Sequence, residues 1–148
     1  MNNLAWLYYE MKKNKQKASK LINNAYNKEQ NIYWAHTFIL ILLWGDEIER
    51  AIELYKKHFD KEEAQKDVNE MIQSILLMFI AKKQYNFVYK LFNENKFEIK
   101  NKYKPIYYAL LTLMGDKQKD ELRRMGDELQ DTVDEIIEKT KQLEKDYT

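Results

Sequence analysis

The sequence predicts an all-α protein in which pairs of helices repeat along the chain as an α-solenoid. Apolar residues recur at steps of three and four through most of the 148 residues, which is the spacing of one helix face. No stretch sustains the period-two alternation of a half-buried strand. Gly45 and Gly115 lie 70 residues apart, which indicates a unit of about 35 residues that recurs.

Four units follow in order, at about 1–30, 31–63, 64–101 and 102–126. The second and third units share one pattern, in which two helix-spaced apolar clusters flank a turn. In the second unit these are Ala35, Phe38, Ile39 and Leu42, then Ile48, Ala51 and Tyr55. In the third they are Ile72, Ile75, Leu76 and Phe79, then Tyr85, Val88 and Phe92. The fourth unit keeps the first cluster as Ile106, Ala109, Leu110 and Leu113, and the first unit keeps Trp6, Tyr9, Ala18 and Ile22. Equivalent second-helix positions are Ala18, Ala51, Val88 and Leu122, separated by 33, 37 and 34 residues.

Each of the three glycines is followed by aspartate. Glycine readily adopts the left-handed conformation that often ends a helix, and aspartate caps the free N–H groups at the start of the next one. We therefore expect Gly45 to end a helix and Asp46 to begin another. The runs "FILILLW" (Phe38–Trp44) and "ILLMFIA" (Ile75–Ala81) are too short to span a bilayer and predict helix segments that are buried on most sides.

Two further signals place the later helices. Pro105 predicts the first turn of the fourth unit's first helix, where a missing N–H costs nothing. Asp127 with Gln130 three residues later predicts a last helix over about 128–146. Its apolar stripe is Leu129, Val133, Ile136, Ile137, Thr140 and Leu143. We expect it to be the capping helix that repeat arrays need; filling the groove of its own chain and dimerisation are the alternatives.

The stretch "GDEIERAIELY" (Gly45–Tyr55) resembles a tetratricopeptide repeat, whose pattern is W-x2-L-G-x2-Y, then A-x3-F, then proline. Ala51-x3-Tyr55 and Val88-x3-Phe92 match the middle of that pattern, whereas Ile39 and its equivalents replace the first-helix glycine. The resemblance covers most of residues 4–125. It implies a right-handed solenoid of antiparallel helix pairs, with a concave groove that receives a partner's peptide or helix.

The resemblance also implies which residues line that groove. Leu7, Leu40, Leu77 and Leu111 fall at one equivalent position on successive first helices, and a row of leucines facing solvent usually marks an interaction surface. The partner-binding residues expected are Tyr33, His36, Leu40, Leu43, Gln73, Leu77, Tyr107 and Leu111. The alternative is a groove filled from within the chain.

The composition argues against most chemistry. The chain has no cysteine, which excludes disulfides, thiolate metal sites and a cysteine nucleophile. His58 with Glu62 one turn later supplies at most half a metal site, and no phosphate-binding glycine loop is present. We expect no catalysis, no cofactor and no metal. The N-terminus lacks the pattern of a signal peptide, so we expect a cytoplasmic protein without a membrane partner.

The function expected is therefore a scaffold or adaptor that binds another protein, or the rest of a longer solenoid of which this chain is a part. Two alternatives remain open. The first is a nucleic-acid-binding repeat, with the phosphate contacts Lys12, Lys13, Lys15, Lys17 and Lys20. The second is a regulatory or sensor segment of a larger multidomain enzyme. Net charge is +1 overall, with +5 over residues 1–115 and −4 from residue 116 onward.

Overall fold

The computed structural model describes residues 3–60, 66–94, 102–115 and 126–148. These ranges contain eight α-helices and no strand. In chain order the helices are α1 (Leu4–Met11), α2 (Lys15–Lys28), α3 (Ile32–Trp44), α4 (Ile48–His58), α5 (Lys66–Ala81), α6 (Tyr85–Glu94), α7 (Lys104–Met114) and α8 (Asp127–Asp146). The all-α class is thereby confirmed. None of the described helices has both the length and the apolar character needed to cross a bilayer.

The residue contacts divide the chain into two compact units. The first unit comprises Met1–Ile75 with Asp146–Thr148, and the second comprises Leu76–Lys145. Helices α1 to α4 belong to the first unit, and α6 and α7 to the second, while α5 and α8 contribute residues to both.

Helix α3 is the buried centre of the first unit. Every residue of Phe38–Trp44 is at most 4% exposed. A helix that is apolar on all sides needs neighbours on all sides, and α1, α2 and α4 each contact α3. Ile75–Ala81 in α5 is also buried throughout. The prediction that these two apolar runs are buried helix segments is confirmed.

The turns after α1, α3 and α5 have the same geometry. In each, a left-handed residue donates its N–H to the carbonyl three residues back, and the next residue donates to the carbonyl five residues back. This is the pair of bonds of a Schellman motif. The left-handed residues are Lys12 (φ 55°), Asp46 (φ 59°) and Lys83 (φ 61°). Because 34 and 37 residues separate them in turn, three successive helix pairs share one turn at the predicted period.

Gly45 is the C-cap of α3, so the prediction that it ends a helix is confirmed. Gly45 is not left-handed, however, and the prediction that Asp46 caps the next helix is wrong. Gly45 has φ −85° and ψ 7°, and its N–H still bonds the Ile41 carbonyl at 3.0 Å. The left-handed position therefore falls one residue later, on Asp46, and Glu47 is the N-cap of α4. Aspartate is among the few residues other than glycine that tolerate this conformation. Gly115 does have a positive φ, of 97°.

Other elements of the repeat agree with the sequence. Ala18, Ala51 and Val88 are each fully buried at equivalent second-helix positions, while Leu122 lies outside the described residues. Pro105 stands in the first turn of α7, as predicted. Helix α8 begins at Asp127, one residue before the expected start, because the Gly126 carbonyl accepts from the Gln130 N–H at 3.0 Å.

In the second unit, aromatic rings pack between α5 and α6 and between α6 and α7. Phe79 and Phe87 have ring centroids 4.7 Å apart, and those of Phe92 and Tyr107 are 5.1 Å apart. In α8, Val133 and Thr140 are buried. The remaining members of its stripe, Leu129, Ile136, Ile137 and Leu143, are half-buried. The apolar stripe of α8 is thus partly buried by other residues of the chain.

An aromatic cluster fixes the last residues of the chain in the first unit. The Tyr147 ring stacks on Tyr9 with centroids 4.4 Å apart and meets Trp44 edge-on at 5.6 Å. The Tyr147 hydroxyl donates to the Tyr9 carbonyl oxygen at 3.0 Å. Burial raises the pKa of both phenols above its ordinary value, so both keep their protons.

Substituting alanine at two glycines should separate their roles. Gly45→Ala should stabilise the protein by roughly 0.4–1 kcal/mol, because an added Cβ meets no atom closer than 3.7 Å and the unfolded chain loses freedom. Gly115→Ala should destabilise it by roughly 1–3 kcal/mol, because φ 97° with ψ −156° is accessible almost only to glycine. Urea unfolding followed by circular dichroism measures both. A large loss for Gly45→Ala would contradict the conformation found at that residue.

Removing the last tyrosine should test the aromatic cluster. Tyr147→Phe should cost about 1 kcal/mol through the lost hydrogen bond, and Tyr147→Ala roughly 3–5 kcal/mol through the lost ring, both read from urea unfolding. The matched control is Tyr33, which is 51% exposed; Tyr33→Phe and Tyr33→Ala should each change stability by no more than about 0.5 kcal/mol. Equal effects at the two tyrosines would contradict the described packing of Tyr147.

Candidate functional site

Helix α1 carries an exposed apolar stripe. Leu4 is 45% exposed, Leu7 51% and Met11 48%, and their spacing places them on one face of the helix. We call these three residues the α1 stripe. Together with Tyr33, they are the exposed large hydrophobic residues among the described parts of the chain. Isolated exposed apolar residues are ordinary, whereas a contiguous group often marks an interaction site.

The opposite face of α1 fixes the helix in place. Ala5 and Tyr9 are buried. The Asn3 side chain caps the helix by accepting the Trp6 N–H at 3.0 Å, and its amide donates to the Thr37 hydroxyl of α3 at 3.1 Å. The stripe therefore stands on a helix that is anchored to α3 at its start, and its exposure does not result from fraying at that end.

A small cleft opens beside the stripe, where α1 meets the first turns of α3. Its volume is about 220 Å³, and it is lined by Asn3, Trp6, Tyr33, Trp34, His36 and Thr37. We call it the aromatic cleft. Pockets for drug-sized ligands usually occupy about 300–1,000 Å³, so this cleft suits a single large side chain better than a cofactor. A cleft of that size can hold one anchor residue of a partner.

His36 lies in the cleft as a neutral hydrogen-bonding group. Its ring is 5.6 Å from that of Trp6, and its Nε2 lies 2.8 Å from the Ser74 hydroxyl of α5. Ser74 donates its single proton to the Met71 carbonyl at 2.9 Å, so the imidazole Nε2–H must be the donor to Ser74. Burial lowers the pKa of His36 to about 4. A histidine that donates to a serine does not activate that serine as a nucleophile.

The predicted groove residues of α3 form one face that is open only at its N-terminal end. Tyr33 is exposed and His36 half-buried, whereas Leu40 is 2% exposed and Leu43 fully buried. The expectation that this face meets solvent along its length is wrong, because α3 is covered by its neighbours from Phe38 onward. Tyr33 and His36 are brought together in the aromatic cleft.

The other predicted groove residues divide in the same way. Gln73 is exposed on α5. In the second unit Leu77 is 7% exposed, Tyr107 2% and Leu111 fully buried. The expected row of solvent-facing leucines is therefore wrong at Leu40, Leu77 and Leu111, which are core residues. Leu7 is its one exposed member.

The five lysines of the α1–α2 segment have different surroundings. Lys12 lies 3.8 Å from the Asp146 carboxylate and 5.7 Å above the Tyr147 ring. Lys15 lies 5.7 Å above Trp44, and Lys17 lies 5.5 Å above Tyr8. Lys13 and Lys20 are exposed. Three of the five lysines thus lie over aromatic rings, those of Tyr147, Trp44 and Tyr8.

The metal hypothesis at His58 and Glu62 falls partly outside the described residues, since Glu62 is not among them. The His58 Nε2 lies 2.6 Å from the Tyr26 hydroxyl. Among residues 3–60, 66–94, 102–115 and 126–148, no group of three or more histidine or carboxylate side chains is placed to hold a metal.

Sequence reasoning missed part of this surface. Leu4, Met11 and Trp34 belong to it but were not singled out. The i, i+3, i+7 spacing of Leu4, Leu7 and Met11 was visible in the sequence, and the same spacing normally marks a buried face. Only the structure shows that α1 buries the other side.

No protein-family model, no curated protein and no solved structure matches the chain.

Replacing His36 with glutamine should reduce the loss of unfolding free energy at acid pH. The pKa of His36 is about 4 in the folded protein against 6.5 when exposed, so between these values the unfolded chain binds a proton that the folded chain does not. Stability from this group is therefore intact above pH 7 and is lost as pH falls from about 6.5 to 4. Between pH 7 and pH 4.5 the wild type should lose about 2 kcal/mol more than His36→Gln in urea unfolding.

Glutamine is chosen because its amide can still donate to Ser74. The imidazole pKa can also be read directly by NMR titration of the wild-type protein. Titration of His36 near pH 6.5, or an identical pH dependence in the variant, would contradict the burial of this ring.

Proposed function

We propose that this chain is a non-catalytic protein-binding module, with a scaffold or adaptor role, whose docking surface consists of the α1 stripe and the aromatic cleft. The single observation that carries the proposal is the half-exposure of Leu4, Leu7 and Met11 on one face of an anchored helix. Full burial of a Leu or Met side chain is worth roughly 1.5–3 kcal/mol. Covering the half that remains exposed therefore favours association.

The repeat architecture supports the same proposal. We infer that the helix pairs are antiparallel and stack as a right-handed tetratricopeptide-like solenoid. The recurring Schellman turns and the fully buried Ala18, Ala51 and Val88 favour this arrangement. In such proteins each repeat contacts its neighbours and the array presents extended binding surfaces. Because Leu40, Leu77 and Leu111 are core residues, we place the docking surface on α1 and the start of α3.

Nucleic-acid binding is the less favoured alternative. Three of its five proposed phosphate contacts, Lys12, Lys15 and Lys17, lie over aromatic rings of this same chain. Moreover, the exposed residues at the centre of the surface are apolar, whereas affinity for nucleic acid depends mainly on contacts to phosphate.

A photo-crosslinking amino acid at position 7 should capture a partner protein in the cells that make this chain. Helix α4 does not contact α1, so the same amino acid in place of the exposed Glu53 serves as the control and should capture nothing specific. Adding Met11→Glu should abolish the crosslink from position 7, because a buried charge opposes docking.

Met11 is 48% exposed, so Met11→Glu should leave the circular dichroism spectrum and the urea midpoint nearly unchanged. The proposal fails if positions 7 and 53 give the same products, or if Met11→Glu leaves the crosslink intact while the fold is preserved.

A further inference from the structure

We propose that the partner of this surface presents an acidic amphipathic helix, whose apolar residues lie on the α1 stripe and whose carboxylates face the lysines of α2. This inference rests on the proposed function and specifies the chemistry of the partner. Its basis is the charge that borders the stripe on one side.

The segment that forms this surface is strongly basic. Residues 3–28 contain six lysines and a single acidic residue, Glu10. Over the whole chain, lysine and arginine outnumber aspartate and glutamate by only one. The positive charge is thus a property of the α1–α2 segment rather than of the protein as a whole, and a field of one sign favours partners of the opposite sign.

Tyr8 lies between Lys17 and the α1 stripe. The Lys17 ammonium lies 5.5 Å above the Tyr8 ring, and Tyr8 lies one helical turn from both Leu4 and Met11. Lys20 continues the same face of α2, three residues after Lys17, and both are exposed. A basic edge therefore runs beside the apolar stripe, on the side where α1 contacts α2.

The opposite edge of the stripe has a different character. Helical geometry places Glu10 between Leu7 and Trp6, on the side of α1 that faces the aromatic cleft, and Glu10 is exposed. The cleft edge of α1 thus carries the negative charge of Glu10, whereas the α2 edge carries the lysines. A partner helix that is acidic only on the flank facing the α2 lysines pairs with them and avoids repulsion by Glu10. A flat anionic membrane would place its headgroups against Glu10 as well.

The length of the stripe fits two turns of a helix. Leu4 and Met11 are seven residues apart, which corresponds to about 10 Å along the axis of α1. Apolar residues at i, i+3 and i+7 of a partner helix present a stripe of equal length, the usual arrangement when an amphipathic helix docks on an apolar surface. One further large side chain of the partner can enter the aromatic cleft.

Two synthetic helical peptides test this inference against the full-length chain. Both carry leucines at i, i+3 and i+7; one has glutamates along one flank, and the other has lysines at the same positions. In fluorescence anisotropy the glutamate peptide should bind at least about tenfold more tightly than the lysine peptide at low salt, with a smaller difference at high salt.

Variants of the chain test whether the difference in affinity between the two peptides arises at the α1 stripe and its lysines. Lys17→Glu should weaken binding of the glutamate peptide about tenfold and strengthen binding of the lysine peptide. Lys28→Glu changes the charge equally, but Lys28 lies three turns further along α2, so it should have little effect on either peptide. Leu7→Glu should abolish binding of both peptides while preserving the circular dichroism spectrum.

The other outcomes are distinct. If both peptides bind equally and Leu7→Glu abolishes binding of both, the preference for an acidic partner is wrong, but the proposed docking surface is supported. If neither peptide binds but the crosslink from position 7 is present, the proposal that the partner presents a helix is wrong. Binding to phosphatidylglycerol vesicles that Leu7→Glu abolishes, with no binding of the glutamate peptide, would replace the partner helix with a lipid surface. Absence of both peptide binding and the crosslink would also remove the proposed function.

Discussion

The burial of α3 is the constraint on which the first unit depends. Seven consecutive residues, Phe38–Trp44, have almost no contact with water, so the helix is stable only when neighbours surround it. Helices α1, α2 and α4 contact it, and His36 bonds to Ser74 of α5. This requirement also orients α1. The helix directs Ala5 and Tyr9 inward, and with one face committed to the core it leaves Leu4, Leu7 and Met11 exposed.

The same turn joins the two helices of each of the first three pairs. Lys12, Asp46 and Lys83 each adopt a left-handed conformation that costs a residue other than glycine roughly 1–2 kcal/mol. Each donates the first of the same two backbone hydrogen bonds, and the next residue donates the second. The turn bonds the last carbonyls of one helix, and the next helix begins after three residues. Consecutive helices therefore stay in contact, as seen for α1–α2 and α3–α4. Ala18, Ala51 and Val88 are each the fourth residue of the helix that follows such a turn, and all three are fully buried.

The proposed docking surface follows from how these constraints meet at α1. The helix is short and firmly capped by Asn3, so its apolar stripe is presented in one orientation, and preorganisation of this kind lowers the entropy lost on binding. The lysines on α2 add a charged edge at one side. Apolar contact supplies most of the affinity of such a surface, whereas charge mainly sets orientation and association rate.

The all-α class, the period near 35 residues, the buried apolar runs and the position of Pro105 were determined by the sequence alone, since helix spacing and proline chemistry act locally. Which face of each helix meets water was decided only by tertiary structure. The sequence pattern aligns Leu7 with Leu40, yet Leu7 is half exposed and Leu40 is buried. The spacing of apolar residues is the same for a face against the core and a face that awaits a partner, so only the neighbours of each helix distinguish the two. The left-handed residue is likewise Asp46 rather than Gly45, because the Gly45 N–H still bonds the Ile41 carbonyl and continues the helical pattern by one residue.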